Sequence, residues 1–567
     1  MRQITRTKGR LALSYTLLSL VIAALLAACG DATATVVPAA TTAAPAATTA
    51  PPAVTTAAAS AATTRAATAT TAAPAATTGA AAPATTVAGT ASGSKLTVGV
   101  RAIPQNLDPI VGDEFGFAPQ NYALGAFLDT LTRVDGPKVV PGLAISWTQT
   151  DPLTWEFKLR KGIKFHNGED FDATSVKFTL DTNLAQKKPT LRLVTVDSYT
   201  TPDAETFVVK TKKPDSLLAA KFAQIVIIPA KYYAEKGTEG YKAAPVGTGP
   251  FQFVSYDRDK QVTFKAYSGS WRGVPKVSEV VFRQIPDVAT QVQALKSGEI
   301  DMIGLSSKDQ YDDLKAKGFK VYDTMLGTTT VIDLKTIDGG PLADKKVRQA
   351  LNLAVNKQEL VEGLFGKLTQ AAVQMPSPVS FGYDPAVKGQ VYDPEKAKAL
   401  LKEAGVKDGE LTLGIEYGAG TIGRKEAVEA LSQYYSKIGV KVEGRPLDSG
   451  TYFQKFNKNE LSPTAIIARV YAPSNDGTLS MEWFTKEFGT LQRYKNDDLD
   501  KLYAQSLTET DVSKRESLIK QMNKIIDDDA ACVPLYYGFD MFASSAKIEG
   551  YKASPNGYLN LENVVKS

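Results

Sequence analysis

From Asp31 to Ser94 the chain is built almost wholly of Ala, Thr and Pro, with Asp31 and Arg65 its only charges and a few isolated valines. Such a run cannot bury enough apolar surface to offset the entropy of ordering it. Alanine favours helix, but threonine and recurrent proline interrupt one. The tract therefore reads as a disordered spacer, a tether on which the rest can swing, and folded structure is expected from Lys95 onward.

What precedes the spacer explains the charge of the chain. The formal net charge of the 567 residues is +5, and Arg2, Arg6, Lys8 and Arg10 supply four of those charges. The remainder is nearly neutral, which gives no electrostatic reason to expect nucleic acid as a partner, since that binding needs clustered Lys and Arg. The four basic residues lead into an apolar stretch, Leu11 to Ala28, the layout of a secretory signal. An uncleaved anchor is the alternative, because the stretch nearly spans a bilayer. It closes on Leu26, Ala27, Ala28 and Cys29, which resembles the lipobox of bacterial lipoproteins, where the cysteine thiol takes a diacylglycerol. Residues 1–28 are thus expected to be a signal peptide, and 29–94 a lipidated Cys29 plus linker, holding the protein at the outer face of the cytoplasmic membrane.

Chemistry-bearing residues are sparse. With Cys29 lipidated, only Cys532 remains; it lies in the apolar run Ala530 to Tyr537 and reads as a small buried hydrophobe, so no internal disulfide is expected. One histidine, His166, excludes multi-histidine metal sites and leaves little basis for a Ser-His-Asp arrangement. Paired carboxylates such as Asp312 with Asp313, or Asp527 to Asp529, read as solvated helix faces. No enzyme activity, metal or cofactor is expected.

Past Lys95, strand-like and helix-like patterns alternate with Gly and Pro punctuation, which predicts a mixed α/β class. Trp155, Phe157, Leu159 and Ile163 alternate with polar residues, suiting a strand pair that turns at Lys161 and Gly162. His166 then falls in the turn Phe165 to Gly168. In Asp393 to Gly405 an aspartate caps, Pro394 opens the helix, Ala397, Leu400, Leu401 and Ala404 form one apolar face, and glycine ends it. Pro245 to Phe251 reads as a rigid turn into a strand.

Nine fragments in order carry a resemblance: Leu96–Val100, Asn106–Pro109, Pro141–Trp147, Trp155–Gly168, Pro245–Phe251, Ala294–Asp301, Val347–Val355, Asp393–Gly405 and Val533–Tyr537. Together they resemble the extracellular solute-binding proteins of ABC importers, family 5, the type that binds oligopeptides, dipeptides and nickel. The resemblance implies a two-lobe fold of the periplasmic-binding-protein type (class II, cluster C) with an inserted domain. Lobe I is then expected from 95–132, 241–338 and 539–567, the inserted domain from 133–240 and lobe II from 339–538. Hinge crossings are expected near Asp338–Pro341, where Gly339 and Gly340 suit backbone rotation, and near Gly538–Phe542. The implied action is capture of a peptide by closure of the lobes and delivery to a membrane permease by a monomer; an oligosaccharide or other uncharged solute is the alternative.

Gly418, Gly420 and Gly423 spell G-x-G-x-x-G between strand Leu411–Tyr417 and a helix from Arg424 to Ile438, with Glu443 behind the next strand. A nicotinamide-dependent enzyme is the remote reading of that motif. The nearer one places Gly418 and Gly420 in the cleft, their backbone N–H groups offered to an anionic ligand group, with a plain loop equally open. Peptide binders of the family read W-x-x-D-x-x-D-P in the second lobe; here Arg469 stands for the tryptophan and Ala472 for the amine-anchoring aspartate. Asp476 is the displaced substitute, with Asn475 beside it. Asp113 and Glu114, on the early loop that the resemblance places at the cleft, could supply the missing negative charge. Phe115, Phe117, Tyr452, Tyr471 and Trp483 are the aromatic candidates.

Overall fold

The structure, a computed structural model, describes residues 92–104, 106–111, 121–185, 195–470 and 475–567. The segment expected to be a signal peptide, Cys29 and nearly all of the expected linker lie outside the described residues, as do Asp113, Glu114, Phe115, Phe117 and Tyr471; of Arg469 only the backbone is described.

Among the described residues ten strands form one sheet, labelled here in chain order: β1 (Ser92–Val100), β2 (Phe251–Asp257), β3 (Gln261–Ala266), β4 (Val277–Gln284), β5 (Met302–Gly304), β6 (Lys320–Leu334), β7 (Thr412–Gly418), β8 (Lys441–Leu447), β9 (Thr464–Val470) and β10 (Cys532–Ser544). Across the sheet they run β8-β7-β9-β6-β10-β5-β1-β4-β3-β2. The ladder from β1 corrects the linker boundary: Ser92 already pairs with Val277, so Ser92 to Ser94 belong to the folded part. They join it because β4 offers a parallel edge that their backbone groups can satisfy whatever their side chains.

The centre of the sheet is the antiparallel pair β6 and β10, and both strands are long enough to serve two halves. Lys320 to Met325 pair with Ser544 to Phe539 on the side of β5 and β1. Thr328 to Leu334 pair with Val470 to Thr464 of β9 on the other side. The register breaks between Met325 and Thr329, opposite Gly538. The first crossing between halves therefore lies inside β6 and not at Asp338–Pro341, where Gly339 and Gly340, at φ +79° and +72°, make a turn leading into the 3-10 turn Pro341–Ala343. At the break a side chain on residue 538 has no room: its Cβ would stand 1.8 Å from Thr328 Oγ1.

Apolar alternation explains how the halves are filled. One core runs under β5 to β7 and β10, with Leu351, Ala397, Leu401, Leu431 and Tyr435 of the covering helices. On the opposite side Leu96, Val98, Phe127, Phe264, Phe282, Phe542 and the C-terminal Leu559 and Leu561 pack together. The helix Pro394–Glu403 forms as its sequence predicts: Asp393 accepts from Lys396 N–H at 2.9 Å, Pro394 opens the first turn, and Gly405 takes φ +76°. Cys532 is buried, beside Met375 in a third cluster with Trp483 and Tyr503.

The inserted region has a hydrophobic cluster of its own on a four-stranded antiparallel sheet, ordered 144–151, 154–159, 206–211, 196–203. Trp155, Phe157 and Leu159 point into that core. The turn at Gly162 exists, at φ +69°, but the chain after it does not pair back on Thr154–Leu159, both of whose edges are already occupied. Lys164 bridges Asp170 instead. His166 is a clasp between two of the family fragments. Its ring Nε2 bonds Gly249 O at 2.9 Å, its Nδ1 accepts from Gly247 N–H at 3.2 Å, and burial lowers its pKa to about 4.

Candidate functional site

Three sets of contacts join the halves around the strand crossing. The first brings β1 to the glycine loop. Arg101, just past β1, donates from Nη1 to Gly420 O at 3.2 Å. That loop follows β7 and opens the helix Arg424–Ser436, which returns to parallel β8, so the local unit is the βαβ arrangement expected from the motif. Its glycines have local reasons. Gly423 sits at φ +68° as the helix N-cap, and a Cβ there would meet Phe365 at 2.2 Å. Arg424, in the first turn, is buried, with its guanidinium 5.5 Å from the centre of the Tyr452 ring. Among the described residues no carboxylate pairs with it. A buried guanidinium beside uncapped helix N–H groups is an arrangement suited to an anion.

The second contact centres on Asn475. This residue takes φ +45°, is buried, and donates from Nδ2 to Gly136 O at 2.9 Å, at the tip of the hairpin Thr132–Asp135 and Lys138–Pro141. Asn556, in the C-terminal segment, donates to Val134 O of the same hairpin at 3.2 Å. The third contact embeds part of the inserted region in the second half. Lys213 pairs with Glu487 at 2.6 Å, Ser216 N–H donates to Leu507 O at 2.7 Å, and Leu217 joins the cluster of Met375, Leu479 and Trp483. Nearby, Glu482 is half-buried, and burial pushes its carboxyl up to about 7.

The residues singled out from sequence divide accordingly. Gly418 and Gly420 lie in the loop that meets Arg101, and Asn475 lies at the crossing with its Nδ2 engaged by Gly136. Asp476 is occupied within its own half: Oδ1 accepts from Thr478 N–H at 2.9 Å and Oδ2 pairs with Arg515 at 2.8 Å. It is not a free carboxylate for a ligand amine. Trp483 is a core residue, 4% exposed, against Phe456 and Phe488. Tyr452 is buried under Arg424 and donates to Ile466 O. The backbone of Arg469 pairs with Thr329 at the crossing. Sequence reasoning missed Arg101, Arg424 and Gly136; only Arg424 carried a signal, as the residue directly after the glycine motif.

A sheet shared by two halves and crossed by two strands, with side chains from both meeting at the crossing, defines a binding protein of the two-lobed periplasmic type. Comparison with known proteins agrees. Residues 138–491 match the family model described as bacterial extracellular solute-binding proteins, family 5 Middle. The di/tripeptide-binding protein 1 of Pseudomonas aeruginosa is 28% identical over 498 residues, covering 79% of this chain and 91% of that protein. The heme-binding protein A of Haemophilus influenzae is 27% identical over 467 residues, covering 74% and 83%. Among solved structures, a putative peptide-binding protein AppA of Clostridium difficile superposes with a TM-score of 0.74 at 23% identity, covering 84% of this chain and all of that one. The oligopeptide-binding protein AppA of Bacillus subtilis, solved with a nonapeptide, gives 0.71 at 21%, covering 84% and 99%. The chain belongs to the bacterial extracellular solute-binding proteins of family 5.

Proposed function

We propose that the protein captures peptides between its two halves by closure about the β6–β10 crossing and delivers them to an ABC permease. The observation that carries this reading is the register break at Met325–Thr329 opposite Gly538, the one of the two breaks in this ladder at which both connecting strands have unpaired residues. A ligand that touches both halves favours the closed arrangement by its differential affinity for it. The Arg101–Gly420 and Asn475–Gly136 contacts are ones that closure makes. Relatives named for dipeptides and tripeptides support the ligand class. Arg424 with the loop Gly418–Gly423 suits a peptide carboxylate, and the relatives named for peptide binding favour that anion over a dinucleotide.

The test is thermal unfolding of the soluble chain from Gly30 onward with a mixed pool of dipeptides and tripeptides, and separately with oligosaccharides. Ligand at about a hundredfold excess over Kd stabilises by about 2.7 kcal/mol, a rise of several degrees. Stabilisation by peptides alone is expected; stabilisation by oligosaccharides alone overturns the peptide reading.

We further propose that Cys29 carries the lipid and that the Ala/Thr/Pro tract spaces the binding halves from the membrane. Palmitate labelling of the expressed protein, lost in Cys29→Ala, is the corresponding measurement; labelling that survives the change rules it out.

A further inference from the structure

Asp540 stands on β10 two residues beyond Gly538, so it flanks the crossing itself. Its partner across the ladder is Thr324, and directly opposed residues of an antiparallel pair present their side chains to the same face. Two positions further, on that face, Tyr322 opposes Phe542, and both rings pack on Tyr551, with centroids 4.9 Å and 5.7 Å away. This face also carries the cluster that includes the helix Asn121–Phe127 and the C-terminal segment, from which Asn556 reaches the hairpin that meets Asn475.

The carboxylate of Asp540 is half-buried, and its side chain makes no hydrogen bond or ion pair among the described residues. Burial is the sole influence on it and raises its pKa to about 6. Thr324, which faces it, turns its hydroxyl to Met325 O. Tyr551 is 5% exposed, feels the charge of Asp540, and has a buried hydroxyl with no hydrogen-bond partner. A buried phenol without a partner costs desolvation without return, and the Asp540 carboxylate whose charge it feels is still partly open to solvent, so it can meet a charged ligand group. A carboxylate next to aromatic rings is, in turn, the chemistry that holds an ammonium group.

We propose that Asp540, with Tyr551 and Tyr322, is the subsite for the ammonium group of the ligand. The assignment rests on the peptide reading above and deepens it. It accounts for two things together: Ala472 stands where the family's amine-anchoring aspartate is expected, and Asp476 is already held by Arg515. The anchor has moved from the second half to the strand that joins the halves, so the ligand charge sits where closure begins. An unfilled anchor also costs the empty protein stability. With its folded pKa above the ordinary 3.8, Asp540 weakens the fold progressively as pH rises from about 4 to about 6 and fully above that, while Tyr551, Tyr322, Thr324 and Phe542 facing it supply no positive charge.

The test is a double cycle on the soluble chain from Gly30 onward, with calorimetric titration of a mixed tripeptide pool, free and N-acetylated, into wild type and Asp540→Asn. For the free pool, Asp540→Asn is expected to weaken binding by about thirtyfold or more. Substitution and acetylation should be non-additive, the doubly altered complex being no weaker than either single one. The ligand-free variant should unfold at a higher temperature than wild type at pH 7.5, which also shows that it folds. An acetylated lysine-containing peptide that binds wild type and is lost with the variant places a side-chain ammonium there and supports the subsite equally. Unchanged affinity in Asp540→Asn, or equal losses for free and acetylated pools of lysine-free peptides, overturns the assignment while leaving peptide capture standing. Failure of wild type to bind either pool removes the peptide reading and this one with it.

Discussion

Replacing Arg493 with methionine is expected to destabilise the protein by about 3–5 kcal/mol, the cost of leaving one charge of a buried pair alone. Arg493 forms an ion pair with Asp333 near the end of β6, and the two side chains are 4% and 2% exposed. The same guanidinium donates to Leu461 O and Asn459 Oδ1, each at 3.2 Å, and to Ser462 O at 2.5 Å, so it ties the approach to β9 to the end of strand β6. Its backbone carbonyl accepts from Thr336 N–H at 2.8 Å. Equilibrium unfolding in urea measures the loss. The partner change Asp333→Leu, added to Arg493→Met, should recover much of it, because two apolar side chains of similar volume need no counter-charge. A single variant within about 1 kcal/mol of wild type would show that solvent already reaches the pair.

The second large effect is a loss of stability on acidification that traces to His166. Folding requires the neutral ring, since Nδ1 accepts from Gly247 N–H while Nε2 donates to Gly249 O, and burial depresses the pKa from 6.5 to about 4. The sign follows from which state binds the proton. The unfolded chain takes it up near 6.5 and the folded chain only near 4, so the contribution is complete above 6.5 and declines as pH falls towards 4. Across that window it amounts to about 3 kcal/mol. Wild type and His166→Gln should therefore differ in stability by an amount that shrinks between pH 7 and pH 4. A difference that stays constant over this range would mean that the ring does not titrate there.

Much of the scaffold was legible because local chemistry and tertiary placement agree in it. Asp393, Pro394 and Gly405 bracket a helix by capping rules alone, and the alternation of Trp155, Phe157 and Leu159 names the buried face of its strand. The ordered landmarks supplied the class. The crossing was misplaced for a physical reason: β6 passes from one half to the other within 15 residues of strand and no proline marks it, whereas Gly339 and Gly340 advertise a turn that only ends the strand. Site residues were harder still. Asp476 carries the right functional group in nearly the right place, and nothing in the sequence says that Arg515, 39 residues later, already holds it. Asp540 was hidden in the opposite sense, a single acid in the run Tyr536 to Ala543, where its isolation among aromatic neighbours was the signal.

The β6–β10 ladder also dictates when the molecule can become whole. Tyr322 and Ser544, whose hydroxyls meet across it, are 222 residues apart in the chain. Pairings so distant are slow, because a long loop must close before any contact rewards it. As the polypeptide is synthesised, β5 and β6 must wait, lacking a shared neighbour, until β10 has been made. Until then the middle of the sheet has a gap, and neither half can be completed by its own residues alone.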